Sequence, residues 1–465
     1  MPRPHRPLSA ARLLVPALLL ATVLAGRAAY AAQATDDADP HRALDAVLAC
    51  ERPDGGWSYT CAPGPEGAVT KIVVRAQQVA ELLGLPVWDL LVVRSPGTPA
   101  GGLVLLEGWR RTGEERWLAG ARRAGDILVA TQLASGGWAS EMPVHGGRLA
   151  RWFRWLNRWT ALDDDVTSGG ARFLVELWAA TGEPAYRTAA ERAFDLLLAA
   201  QLPGGAWPLT SRVPRWLSAV SPSFEDLPST NDAATAGPIE ALLVGARLLG
   251  RADLRAAARR GGGWLVRVQV GAGREAWAQQ YTANGAPAPG RRFEPAGLAS
   301  WETREMLDAL LALARDADGQ RSRDAVPAGS DLCPAIAAGA AWLARVPIGP
   351  GCWARLYDAD DGRPIYVARD GTVVATPEEA KRPYKWTGEF GVPALLATVG
   401  GTASGAPSAA DAPFPPRRIF GDAGSCPGAP PAMAEDVPNP RARIARAAVL
   451  LAAAEPPPPD PCARP

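Results

Sequence analysis

The 465 residues carry 49 Lys and Arg against 48 Asp and Glu, a net charge of +1, so bulk charge gives no pull toward nucleic acid or an anionic membrane surface. With only three histidines, the chain offers no obvious Ser-His or Cys-His pair, no His-rich metal cluster and no phosphate-binding Gly loop. An enzyme built from it has to work with carboxylates, arginines, aromatics or a bound cation.

Residues 1–31 read as a secretory signal. Arg3, His5, Arg6 and Arg12 form a basic start, Leu13 to Ala25 an apolar run, and Ala29-Tyr30-Ala31 a small-x-small cleavage site. The apolar run is short for a membrane helix, and no later stretch is long and apolar enough to span. The expected location is therefore secreted or periplasmic. There, the six cysteines (Cys50, Cys61, Cys333, Cys352, Cys426, Cys462) are expected as disulfides, with Cys50–Cys61 and Cys333–Cys352 the simplest pairs of the 15 possible pairings.

The body predicts helices joined by irregular loops. Ala171–Thr181, Tyr186–Gln201, Ile239–Leu249, Leu254–Val268, Trp301–Ala314 and Ile336–Arg345 place apolar residues at three-four spacing, and Gly and Pro gather between them. Pro364–Val374 is the best candidate for a short hairpin. A repeat runs through the chain: Glu51 to Trp57, Gln132 to Trp138 and Gln201 to Trp207 each put a polar residue six places before a Trp, with glycines between, and Gln269 to Trp277 is a looser copy. Each copy follows a helical segment, as though a Gly turn tucks a Trp back against the next layer. These features predict an all-α fold, an (α/α) toroid of repeated helix hairpins with long polar loops. Residues 32–400 would form it. Residues 401–465, with 15 of the 45 prolines, would be a mostly extended tail in which Arg441 to Ala454 could make one amphipathic helix.

Four stretches could carry chemistry. Asp163-Asp164-Asp165 stands before a helix and reads either as helix-end acids or as oxygen ligands whose mutual repulsion a hard cation would relieve. Just upstream, Trp152, Trp155 and Trp159 share a helical face beside Arg151, Arg154 and Arg158, which suits a core stripe or a sugar platform. Asn231-Asp232 sits in a polar loop and alone reads as a turn or cap. Trp277-Ala-Gln-Gln-Tyr281 and Arg291-Arg292-Phe293-Glu294-Pro295 make the densest polar-aromatic stretch, in a loop before a helix, where side chains are aimed into clefts.

Taken in order, these blocks resemble the family-ten pectate lyases from about residue 55 to about residue 391. Asp163 to Thr167 followed by Arg172-Phe173-Leu174, Gln201 to Pro208, Asn231 to Ala234, Trp277 to Thr282, Gly290 to Pro295, Trp353 to Tyr357, Arg363-Pro364-Ile365 and Lys381 to Trp386 are similar to successive family motifs. The resemblance implies an α/α toroid that cleaves a pectate-type acidic polysaccharide by calcium-assisted β-elimination. Arg291 would be the base, and Asp163 and Asp232 the active-centre acids. Asp163, Asp164 and Asp232 would be ligands of Ca2+. Arg382 and Arg355 would bind uronate carboxylates, and Trp57, Trp277, Gln280 and Glu294 would line the substrate. A desolvated, cation-crowded site would lower the pKa of Arg291. The sequence departs from the pattern at Tyr59, where a lysine is usual, at Ala233 and Thr282, which replace acids, and at Asp164, which replaces Asn. A non-catalytic sugar-binding toroid and a triterpene-cyclase-like barrel are the competing readings.

Overall fold

The computed structural model describes residues 39–59, 61, 90–144, 159–212, 223–271, 273, 275–319, 332–381, 384–400, 426, 440–453 and 460–462. The expected leader, the Trp152/Trp155 stripe with its arginines, and Arg382 lie outside these residues.

Eleven helices occur among the described residues: α1 (Pro40–Leu48), α2 (Thr98–Thr112), α3 (Glu115–Thr131), α4 (Val166–Thr181), α5 (Pro184–Ala200), α6 (Ala236–Leu249), α7 (Ala252–Arg267), α8 (Ser300–Gly319), α9 (Leu332–Arg345), α10 (Val392–Gly400) and α11 (Pro440–Ala453). The six segments expected as helices lie in α4 to α9. Glycine defines the hairpins: α2, α4 and α6 end on Gly113, Gly182 and Gly250, each left-handed, and two or three residues later the next helix begins. In this way α2, α4, α6 and α8 pack on one another in series as an inner layer, with α3, α5, α7 and α9 behind them. Helix α2 escapes the periodicity because Gly101 and Gly102 make its start look like a loop. A Cβ there would fall 2.5 Å from Trp57 and 2.2 Å from Phe173, so both glycines are packing requirements.

The tryptophan repeat fixes the loops at one end of the layers. Trp57, Trp138, Trp207 and Trp277 are buried, and their indole N–H groups donate to the carbonyls of Val47, Leu128, Leu197 and Leu265 at 2.7–3.0 Å, each near the end of an outer helix. Trp353 is a fifth copy, donating to Leu343 at 2.8 Å; the missing Gln before it hides it in the sequence. The backbone N–H groups of Trp57, Trp207 and Trp277 in turn donate to the hydroxyls of Thr98, Thr235 and Thr303 at 3.1 Å, at or near the start of the next inner helix. Each Trp thus joins the end of one outer helix to the beginning of an inner one.

Strands are short and sit in the loops. Pro364–Val367 pairs antiparallel with Val373–Val374, as expected of a hairpin, and with Leu298–Ala299 and Leu356–Tyr357 makes a four-stranded sheet.

The C-terminal helix α11 is part of the ring. It packs on α1 and α2, burying Ile444, Ala447, Ala448 and Leu451 at three-four spacing. At its start Arg441 donates to the carbonyl of Ser95 at 2.7 Å, just ahead of α2, and near its end Leu451 accepts from Arg111 at 2.8 Å, near the end of α2. The two helices run parallel, so α11 takes an inner-layer position beside α2.

Disulfides join Cys50–Cys61, Cys333–Cys462 and Cys352–Cys426. The expected Cys333–Cys352 pair is therefore corrected. Cys333 opens α9 and Cys352 lies beyond its far end, about 20 Å away at 1.5 Å per residue, too far for an S–S link. Among the described residues no helix is long and apolar enough to cross a membrane.

Candidate active site

Successive repeats bring their loops together where the inner helices begin. Counting back three residues from Thr98, Thr167 and Thr235 gives Ser95, Asp164 and Asp232, and these equivalent residues are tied by backbone bonds. Ser95 N–H donates to the Asp164 carbonyl at 2.9 Å and Asp164 N–H to the Asp232 carbonyl at 2.7 Å. The acids are thus fixed side by side although they lie 68 residues apart. Asp164, Asp165, Asp232 and Ala233 all hold left-handed backbone, φ between 47° and 58°, a strained conformation that Asp tolerates better than most residues and that turns the loop sharply into the helix.

Asp165 stands at the N-cap position of α4, as the helix-end reading expects, but its side chain makes no capping bond. Its carboxylate is instead wedged between α4 and α6, where a Cβ at Gly169 or Gly237 would come within 2.9 Å of it.

Asp163, Asp164 and Asp232 share one electrostatic neighbourhood. Burial, then Asp164 and Asp232, push the Asp163 carboxyl well above the ordinary carboxylate range, and Arg94 and Arg291 pull the other way. Asp164 is raised by burial and by Asp232, although Arg94 is bonded directly to it. Asp232 meets Arg291 and Arg355, each at 3.4 Å.

Arg291 projects from a tight turn. Its backbone N–H donates to Glu294 Oε2 at 3.0 Å, its Nε stands 3.3 Å from the same carboxylate, and Glu294 N–H returns to the Arg291 carbonyl at 2.7 Å. The turn needs Gly290, because a Cβ there would lie 2.6 Å from Gln280 Oε1 and 2.8 Å from Glu294 Oε2. Burial alone lowers the Arg291 pKa, but Glu294 and Asp232 outweigh it and hold the guanidinium above its ordinary value. The expected lowering is thus corrected for the free protein: anions, not cations, crowd this arginine.

Beneath Asp232 lies a buried polar cluster. Arg355 donates to Glu302 at 2.6 Å and to Asn231 at 3.3 Å, sandwiched between the rings of Trp301 and Tyr384, each 4.8 Å from its guanidinium carbon. Gln279 donates to Asn231, Glu302 and Tyr384, and the Tyr384 hydroxyl to Glu294. This network carries Asp232 and Arg291 on one rigid base.

Of the residues expected to line substrate, Trp57 and Trp277 are corrected to core: both are fully buried in the indole–carbonyl belt and show no ring face to a sugar. Gln280 and Glu294 are also buried, one against Gly290 and the other beneath Arg291. Arg355 is corrected to a clamp on Asp232 and Glu302, with 6% of its surface exposed. Trp159 is 53% exposed on the strand Trp159–Ala161. Thr282 lies exposed in a hairpin turn, accepting from Ala286 N–H. Sequence reasoning missed Arg94, Gln279, Glu302 and Tyr384. Aligning the loops on their Thr would have exposed Arg94, which stands four places before Thr98 as Asp163 does before Thr167.

Among the described residues, no three His, Cys, Asp or Glu side chains converge closely enough to enclose a metal ion. Yet the Asp163 carboxylate receives no hydrogen bond from them and is crowded by two others, which suits one side of an open site for a hard, oxygen-seeking cation, to be completed by a ligand's own oxygens.

Residues 233–395 match the family model for pectic acid lyase. No curated protein matches. Among solved structures, the chain is similar to a family 10 polysaccharide lyase from Cellvibrio cellulosa at 20% identity, over 64% of this chain and 94% of that one, with a TM-score of 0.48. A mutant family 10 polysaccharide lyase from the same organism, in complex with trigalaturonic acid, gives 18% identity, 64% and 95% coverage and a TM-score of 0.47. A D-mannose isomerase matches at 13% identity over 78% of this chain and 81% of that one, TM-score 0.50, a likeness of fold alone. The matched segment begins immediately after Asp232 and contains the Arg291 turn and Arg355. The chain is thus similar to the pectic acid lyases over residues 233–395.

Proposed function

We propose that the protein cleaves pectate, polygalacturonate or a related uronate polymer by β-elimination, after export, with Arg291 as the base. The observation that carries this reading is the juxtaposition of Arg291 with Asp232, 3.4 Å apart, on a loop hydrogen-bonded directly to the one that bears Asp163 and Asp164. The three disulfides fit an oxidising compartment.

The proton at C5 of a uronate is held tightly because the adjacent carboxylate is already negative. A calcium ion held by Asp163, Asp164 and Asp232 would offset that charge and let the carboxylate accept more as the proton leaves. Arg291, fixed by Glu294 and the Arg355 cluster, takes the C5 proton. The electron pair forms the C4–C5 double bond, the C4–O4 bond breaks, and the departing oxygen is protonated by water. A guanidinium must first lose a proton to act so, and Glu294 and Asp232 oppose that loss, so turnover climbs as pH rises into the alkaline range.

The test is new ultraviolet absorbance from the unsaturated product on polygalacturonate with calcium, its loss with chelator, and the Arg291→Ala variant. That variant is expected to lose about 10³-fold in kcat/KM with an unchanged helical signal. Retained turnover would remove Arg291 as base. Saturable binding without turnover by the wild type would favour a sugar-binding toroid instead.

A further inference from the structure

We infer that helix α11 delivers Arg441 to the substrate groove, where Arg441 and Arg94 form a subsite for the carboxylate of a second uronate in the same chain. This deepens the uronate-polymer reading and rests on it.

The helix lies outside the segment that matches the lyase family, yet it occupies an inner-layer position. Its apolar stripe seats it against α1 and α2, which aims its first turn at the same end of the ring as the acids. Arg441 donates to the carbonyl of Ser95, and the N–H of Ser95 donates to Asp164. Arg441 is therefore one residue away from the ladder that positions the acids. Its guanidinium lies within electrostatic range of Arg94, Tyr59, Asp164 and Glu141. The Tyr59 hydroxyl donates to Glu141, and Arg94 is bonded to Asp164 with 37% of its side chain exposed.

Two arginines brought together from different elements repel each other, an arrangement suited to a shared anionic ligand. The charges around the mouth are then Arg441 and Arg94 with Glu141 beside them, Asp164, Asp163 with Asp232, and Arg291. A uronate chain carries a carboxylate on every sugar, so a second cationic position beyond the acids matches its charge repeat. Connectivity holds the helix in place: Cys352–Cys426 lies before α11 in the chain and Cys333–Cys462 after it, so both ends are tied to the body of the ring.

Steady-state kinetics of the full chain on galacturonate oligomers of increasing length test the subsite. Arg441→Gln is expected to raise KM about tenfold on long oligomers with kcat within twofold, the loss of one charge-assisted contact, and to have no effect on oligomers too short to reach it. Arg443→Gln is the control: Arg443 on the same helix also donates to a backbone carbonyl, that of Ala46 at 3.0 Å. It should leave KM unchanged. If Arg441→Gln does not fold, Arg441→Lys, which keeps the charge but loses the guanidinium fork, should give a smaller KM increase with the same dependence on oligomer length. An unchanged KM with a lowered thermal midpoint would make Arg441 a purely structural tie and overturn the subsite, leaving the lyase reading intact. If the wild type turns over no uronate polymer, calorimetric binding of the oligomers separates the two ideas. Binding weakened by Arg441→Gln keeps the subsite without the lyase, and absence of binding overturns both.

Discussion

Two clusters of buried charge in this ring are built in opposite ways. Between α2 and α4, Glu176 receives Arg110 at 2.8 Å and Arg172 at 3.0 Å, and although burial pushes its carboxyl up, the two arginines prevail and hold it below the ordinary range. At the mouth, Asp163, Asp164 and Asp232 have Arg94, Arg291 and Arg355 nearby, an equal number of cations, yet among the described residues none donates a hydrogen bond to the Asp163 carboxylate, and both carboxyls of the 163–164 pair are pushed upward. Equal numbers do not make a pairing; geometry does. The first cluster is arranged for stability, while the second keeps unrelieved repulsion at the position where the proposed reaction needs negative charge and a cation.

Removing the compensation from the first cluster should give the largest effect. Glu176→Gln takes the bonded carboxylate from buried Arg172, leaving it only the more distant Glu240 and Asp165, and from the more exposed Arg110, which keeps Glu107 at 3.8 Å; the change is expected to cost about 3 kcal/mol in chemical denaturation. At the mouth the sign reverses: Asp163→Asn relieves repulsion and should raise the thermal midpoint of the metal-free protein, by roughly 1 °C if about 1 kcal/mol is recovered in a chain of this length. The same change should reduce lyase turnover on the order of 10²-fold and abolish the calcium-induced rise in midpoint shown by the wild type. A wild-type midpoint indifferent to calcium would break the comparison.

The pH dependence sharpens it further. Glu176 has a folded pKa below its unfolded value of about 4.3, so its contribution is complete above that value and is lost as pH falls through the folded pKa. Asp163 has a folded pKa above its unfolded value of about 3.9, so the wild type loses stability as pH climbs through the folded pKa, and the Asn variant gains its full advantage only above it. Thermal midpoints of the two variants against pH should therefore diverge from wild type on opposite sides. The smallest effect concerns the belt that supports the mouth. Trp277→Phe keeps most of the packing but loses the N–H bond to Leu265, and should cost about 1 kcal/mol with no change in KM, consistent with a ring that does not touch sugar.

Much of the fold was legible because it is local. Three-four spacing marked α4 to α9, and the Gln-to-Trp repeat announced hairpins stacked in register, since each helix needs the same apolar face and each turn the same glycines. The Asp163 and Asp232 loops and the Arg291 turn were also visible as polar clusters before helices. What the sequence could not settle was decided by contacts between distant segments. Trp57 and Trp277, expected through the resemblance to line substrate, are buried by the ring, and Arg355, expected to bind a uronate carboxylate, is closed in by Asn231, Asp232 and Glu302. The partner of Cys333 lies 129 residues away, because a whole helix separates it from Cys352. Most of all, α11 reads as an isolated helix in a proline-rich tail. Only packing against α1 and α2 makes it an inner helix of the ring, because an apolar stripe specifies that a surface must be covered and not which surface covers it.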